Sequence, residues 1–232
     1  MMRGLVAALA VLCGACSAGS PAPKPKLHIL TALPLFWGEG DVADVLQNRT
    51  APAPSLTALS ASWDVVALDM ADARALHPVQ TLLLIQPPRL APAELVALDA
   101  WVRQGGRVVI LADPDLRWPQ QRPIGDPRRA PVTTLLSPLY RHWGLDLQPD
   151  AMGSPPRHAR IAAWTIALPG SGQWVRASGR CRLPDPALAY CQLGKGGAVL
   201  IADADFLQPE GDAAAQARAI AAINGLLTDK NQ

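Results

Sequence analysis

The sequence is poor in charge. Lys and Arg number 21 against 19 Asp and Glu, which leaves a net charge of +2, and only 17% of the residues are charged. That balance leaves no basic face of the kind nucleic acid requires. Histidine is scarce as well, and His28, His77, His142 and His158 are scattered, so each reads as structural or solvated. Long apolar runs are missing: Leu5 to Leu12 is well short of the roughly 20 residues that span a bilayer. No nucleophile elbow is present either. A Gly-x-Ser-x-Gly turn should follow a buried strand, whereas the strand pattern ending at Ala112 enters Asp113-Pro114-Asp115, and Ser137 falls inside a helical pattern. These absences assign no catalytic residue, no metal ligand set and no cofactor.

What is present starts with an export signal. Residues 1–16 combine Arg3 with a short apolar stretch, the parts of a bacterial signal peptide. Leu12-Cys13-Gly14-Ala15-Cys16 resembles a lipobox, in which Cys16 is lipidated and becomes the mature amino terminus. Cys13 replaces the usual leucine, so ordinary cleavage near Ala18 or Ala22 and an uncleaved anchor stand as alternatives. Residues 17–26 then form a Pro-rich tether. Cys181 and Cys191 flank Leu183-Pro184-Asp185-Pro186, where a hairpin would let them pair in an oxidising compartment; two separate buried thiols are the alternative.

The remaining residues, 27–232, suit one α/β domain with a β-rich insertion around 157–193. Its centre is Thr81 to Asp115. Leu82 to Ile85 and Val108 to Leu111 are apolar without alternation, as strands buried on both faces of a parallel sheet are. Between them Pro92 opens a helix, Leu95, Leu98 and Val102 share one face, and Gly105-Gly106 stops it. Further strands are expected at Leu27 to Thr31, Asp64 to Asp69, Leu145 to Leu147 and Ala198 to Ala202. Helices are expected from Val42, over Thr133 to Trp143 and over Asp212 to Leu227; Asn48 to Ser62 reads as a surface crossing. Ile161 to Leu168, Gln173 to Ser178 and Leu188 to Leu193 read as short antiparallel segments.

Candidate binding residues follow from the rule that open α/β sheets bind ligands beyond the carboxyl ends of their strands. They are Trp37, Glu39 and Asp41 after the first strand, Gln86 after the third, Asp113 and Asp115 after the fourth, and Asp203 and Asp205 after the last. Each has a plainer reading: Asp41 as a helix cap with Trp37 packed beneath its loop, and the Asp-x-Asp pairs as caps of turns. The acidic pairs also suit a hard cation or acid–base work, the chemistry of a carboxylate- or metal-dependent hydrolase. The long loop from Arg117 to Pro131 carries Arg117, Arg122, Arg128 and Arg129; it suits an anionic ligand, or a solvated loop pinned by Asp126. Gly194-Lys195-Gly196-Gly197 precedes a strand, not a helix, and so reads as a turn and not a phosphate loop.

Two blocks, "LLLIQPPRLAPAELVALDAWVRQGGRVVILADPD" and "GKGGAVLIADADFL", resemble the recurring segments of the GldG-type family of ABC-transport auxiliary proteins. The resemblance implies a flavodoxin-like, class I glutamine-amidotransferase-like α/β fold: a mostly parallel sheet with helices on both faces and a small antiparallel extension. It also implies a non-catalytic periplasmic accessory protein that works with an ABC-type membrane permease or ATPase. The chain departs from such auxiliaries in ending on one amphipathic helix, with no carboxy-terminal membrane span in the sequence.

Overall fold

A computed structural model of the chain describes residues 22–40, 42–47, 49–170, 172–179, 181–208 and 212–229. The signal segment, Cys16, the first half of the tether and Asp41 lie outside the described residues. The first half of the chain contributes β1 (Lys26–Thr31), α1 (Val42–Leu46), α2 (Pro54–Ser62), β2 (Asp64–Ala67) and α3 (Ala73–Leu76). It continues with β3 (Thr81–Ile85), α4 (Pro92–Arg103) and β4 (Arg107–Leu111). After a long loop come α5 (Ser137–His142), β5 (Leu145–Pro149), β6 (Arg157–Ile161), β7 (Trp164–Leu168) and β8 (Gly172–Arg176). β9 (Arg182–Asp185), β10 (Leu188–Leu193), β11 (Gly196–Ile201), a 3-10 turn (Asp205–Leu207) and α6 (Ala213–Thr228) complete the chain.

Seven strands form the main sheet in the order β2-β1-β3-β4-β11-β10-β9. The first five run parallel, and β10 and β9 extend the sheet antiparallel. Leu82 to Ile85 and Val108 to Leu111 are buried at every position, so the sheet is covered on both faces at its centre, as their unbroken apolar runs require. Packing pairs α2 with α6 and α3 with α4, while α6 meets β4 and α4 meets β11. Helix α4 begins on Pro92, with the Glu94 carboxylate accepting from Ala91 N at 2.7 Å, and stops at Gly105, whose φ of +123° disfavours a side chain.

The departures from expectation have local causes. The predicted surface crossing over 48–62 contains α2: Pro54 occupies its first turn and Leu56 and Leu59 are buried, a signal that the Ala/Ser/Thr composition masks. The helix expected from Thr133 starts only at Ser137, because Thr134 N donates to Asp113 O at 2.7 Å and Pro138 sits in the first turn. The β-rich region 157–193 contributes to three sheets, partly as an extension of the main one. β6 pairs with β7, β8 pairs back to β5, and β9 and β10 join the main sheet. α6 packs on β7 and β6.

Cys181 and Cys191 are joined in a disulfide between the segment entering β9 and β10, each 3% exposed. It fastens the outermost strand to the sheet. Replacing both cysteines by alanine is expected to lower stability by about 3 kcal/mol, the loop-closure value for a loop of this length. Chemical denaturation of the oxidised protein and the double variant measures it; coincident midpoints would refute a stabilising role.

Both ends of the described chain lie at the amino ends of the parallel strands. Lys26 opens β1, and Arg107, which opens β4, donates through Nη2 to Leu227 O at 2.9 Å and Asp229 O at 2.7 Å at the close of α6.

Candidate functional site

β3, β4 and β11 lie side by side with Ile85, Leu111 and Ile201 in register, so the residues that follow them emerge together. Gln86, Asp113, Asp203 and Asp205 are all within 2% of complete burial there. Gln86 takes a positive φ of 39° and is held by its own side chain: Oε1 accepts from Asp113 N at 3.0 Å, while Nε2 donates to Asp113 O at 3.2 Å and Pro131 O at 2.9 Å. The Asp113 carboxylate accepts from Asp115 N at 2.8 Å and Ala204 N at 3.0 Å. Asp203 accepts from Gly170 N at 3.0 Å and Phe206 N at 3.2 Å, and Asp205 from Arg117 N at 2.8 Å. A Cβ on Gly170 would lie 2.7 Å from Asp205 Oδ2, so a larger residue there would displace that carboxyl.

These carboxyls are far from their ordinary state. Burial, reinforced by the charge of Asp205, pushes Asp113 up from 3.8 to about 7. Burial and then the charges of Asp113 and Asp205 push Asp203 well above the usual range. Burial raises Asp205 too, opposed by the Arg117 amide. The cluster therefore works as a set of internal caps. Asp113, Asp203 and one oxygen of Asp205 are turned onto backbone amides of three separate segments. Among the described residues Asp205 Oδ1 is buried without a hydrogen-bond partner, and no group of three or more His, Cys, Asp or Glu is arranged to hold a metal ion. Asp115 is exposed and pairs with Arg117 at 3.3 Å.

The open part of this edge lies beside the cluster, past β1 and β2. A groove of about 560 Å³ has Leu33, Phe36, Leu46 and Leu68 among its apolar residues and Asp69, Arg122 and Arg128 among its polar ones. Trp37 stands on its rim, 66% exposed, which overturns the expectation that the ring packs beneath its loop. The backbone explains this: Gly38 N donates to Pro34 O, a tight turn that carries Trp37 at its crest. Glu39 is half-buried and does not line the groove. Arg122 reaches across from the long loop, its Nη2 donating to Gly40 O at 3.0 Å. Arg128 grips Asp126 through Nε at 3.1 Å and Nη2 at 2.9 Å, and this clamp holds the Asp126 carboxyl down at about 2.

Of the residues singled out from the sequence, Gln86, Asp113, Asp203 and Asp205 thus meet in a closed cluster, while Trp37 faces a separate groove. Arg122 and Arg128 join Trp37 there. Their presence in a long loop was visible, but their meeting with a turn some 80 positions earlier is a tertiary event with no local signature.

Comparison with known proteins follows the same division between fold and activity. The mmIFT52 N-terminal domain is 14% identical with a TM-score of 0.53, the alignment covering 90% of this chain and 99% of that one. The exo-beta-1,4-mannosidase Op5Man5 from Opitutaceae bacterium strain TAV5 is 12% identical with a TM-score of 0.53 over 91% of this chain, which spans 37% of that enzyme. At such identities the likeness concerns the fold alone. No curated protein sequence matches the chain. Among the described residues no helix is long and apolar enough to cross a membrane. The sequence pattern of an ABC-transport auxiliary family, described as an ABC-type uncharacterized transport system, matches residues 24–171, more than half of the chain, and the protein belongs to that family.

Proposed function

We propose that the protein is a non-catalytic, exported accessory component of an envelope ABC-type transport system, binding its partner or ligand at the carboxyl edge of a flavodoxin-like, glutamine-amidotransferase-like domain. The observation that carries this reading is the contrast along that edge. The carboxyl groups that would perform hydrolysis are buried and directed at backbone amides, whereas the neighbouring groove is open and presents a largely exposed tryptophan. A solvent-facing aromatic beside a concave apolar surface is a recognition feature, not a packing one.

Export is supported by the buried disulfide, which persists in oxidising compartments. In this reading residues 1–16 are the signal, Cys16 carries lipid, residues 17–26 tether the domain to the membrane, and residues 27–232 act in the periplasm. The hydrolase alternative needs an accessible pair of acidic groups, and Asp113 and Asp203 are 0% exposed.

The test is capture of the full-length protein from detergent-solubilised native membranes, with mass spectrometry of its partners and of its mature amino terminus. A permease or ATPase recovered with lipidated Cys16 is the expected result. Recovery of unlipidated protein with neither partner would overturn the accessory reading.

A further inference from the structure

The groove beside Trp37 has a chemical polarity of its own, and it rests on the binding reading just given. Its apolar lining includes Phe36, Leu68 and the largely exposed Leu46, and its volume of about 560 Å³ is that of a small-molecule site. Its charged lining comes from the arginine loop and from the exposed Asp69. The two arginines differ in what they have left to offer. Arg128 is engaged in a forked pair with Asp126. Arg122 has a side chain that is only 26% exposed, and among the described residues it makes one hydrogen bond, to Gly40 O, and a loose approach to Asp126 at 3.8 Å. A guanidinium has five N–H donors in a rigid fork, and no side chain in the proteins suits a carboxylate or phosphate better. Arg122 is thus a partly desolvated, under-used cation at the edge of an apolar trough.

We propose that this groove binds an anionic amphiphile, a small molecule bearing one carboxylate or phosphate on an apolar body. The acid group meets Arg122, and the body lies along Phe36, Leu46 and Leu68 under the Trp37 ring. Asp69, also on the groove, repels the acid and so favours its placement at Arg122. A zwitterionic ligand would behave differently, since its ammonium group would draw on Asp69.

The experiment is calorimetric titration of the intact mature protein with dodecanoate, with dodecyl maltoside below its micellar concentration as the uncharged counterpart. Dodecanoate is expected to bind with a Kd in the micromolar range and dodecyl maltoside at least tenfold more weakly. Arg122→Gln is expected to weaken dodecanoate at least tenfold, Trp37→Ala at least threefold, and Asp69→Asn to tighten it. Equal affinity for the two probes, or unchanged affinity in Arg122→Gln, overturns the proposal, and weaker binding by Asp69→Asn overturns it in favour of a zwitterion. If circular dichroism shows Arg122→Gln to be unfolded, Trp37→Ala and Asp69→Asn decide, because both side chains are exposed and their loss leaves the core intact. Capture of a transporter by a protein that ignores dodecanoate would strike down this ligand class and leave the accessory function standing.

Discussion

Asp203→Ala is expected to lower the stability of the fold by about 2–4 kcal/mol, because it strips the partner from one buried and one part-buried amide, the buried one worth roughly 1–3 kcal/mol when left unsatisfied. Those amides belong to Gly170, in the turn after β7, and to Phe206, in the 3-10 turn that leads towards α6. Burial and then the charges of Asp113 and Asp205 push the Asp203 carboxyl well above the ordinary range. Asp203→Asn keeps the shape and one acceptor, and should lose about half as much. Urea denaturation of the two variants reads this directly. An unchanged midpoint in Asp203→Ala would mean that the carboxyl is not a cap, and would return it to consideration as a reactive group.

Stability should also fall as pH rises through neutrality. Asp113 sits near 3.8 in the unfolded chain and at about 7 in the fold, so the folded state holds its proton over that interval. A carboxyl raised in this way contributes stability that is complete below about pH 4 and is lost as pH climbs through about 7. The displacement corresponds to on the order of 4 kcal/mol. Asp203 and Asp205, raised by the same burial, act in the same direction. His28 opposes them: burial, aided by Lys26, lowers its pKa, so its contribution grows with pH up to its unfolded value. Asp99 and Asp126 are lowered carboxyls whose contributions vanish only below the ordinary carboxylate range, outside this window. The wild-type protein should therefore melt at a higher temperature at pH 5 than at pH 8. Asp113→Asn should flatten the slope while losing some stability at pH 5, since its amide nitrogen cannot accept from Ala204 N or Asp115 N. A wild-type melting temperature that rises from pH 5 to pH 8 would contradict the account.

The central part of this architecture was legible because its signals are local. Unalternated apolar runs at Leu82 to Ile85 and Val108 to Leu111, a proline at one end of the intervening helix and a glycine at the other, leave few alternatives to a β–α–β unit. The acidic residues were legible as positions at strand ends, and their capping role was the plainer of the two readings. The amide contacts of Asp203 and Asp205 depend on where Gly170 and Arg117 arrive from, 33 and 88 residues away in sequence from the carboxylates they meet. The groove was less visible still. Trp37 is a candidate by its place after the first strand, yet its exposure is decided by a turn geometry that tryptophan itself does not encode. Helix α2 has little local signature because Ser and Thr are weak helix formers and only Leu56 and Leu59 mark its apolar face.

The location of both described chain ends at one end of the sheet has a consequence for how the domain would sit in the envelope. A strand of five or six residues is about 17–20 Å long, and the groove lies at the far end of β1 from Lys26. A lipid on Cys16 would hang the domain by its amino-end face, with up to about 30 Å of proline-rich leash between bilayer and fold. Suspended in that way, the Trp37 side would look away from the anchoring membrane. What it meets would then arrive from the aqueous side, or from a neighbouring protein tall enough to clear the leash.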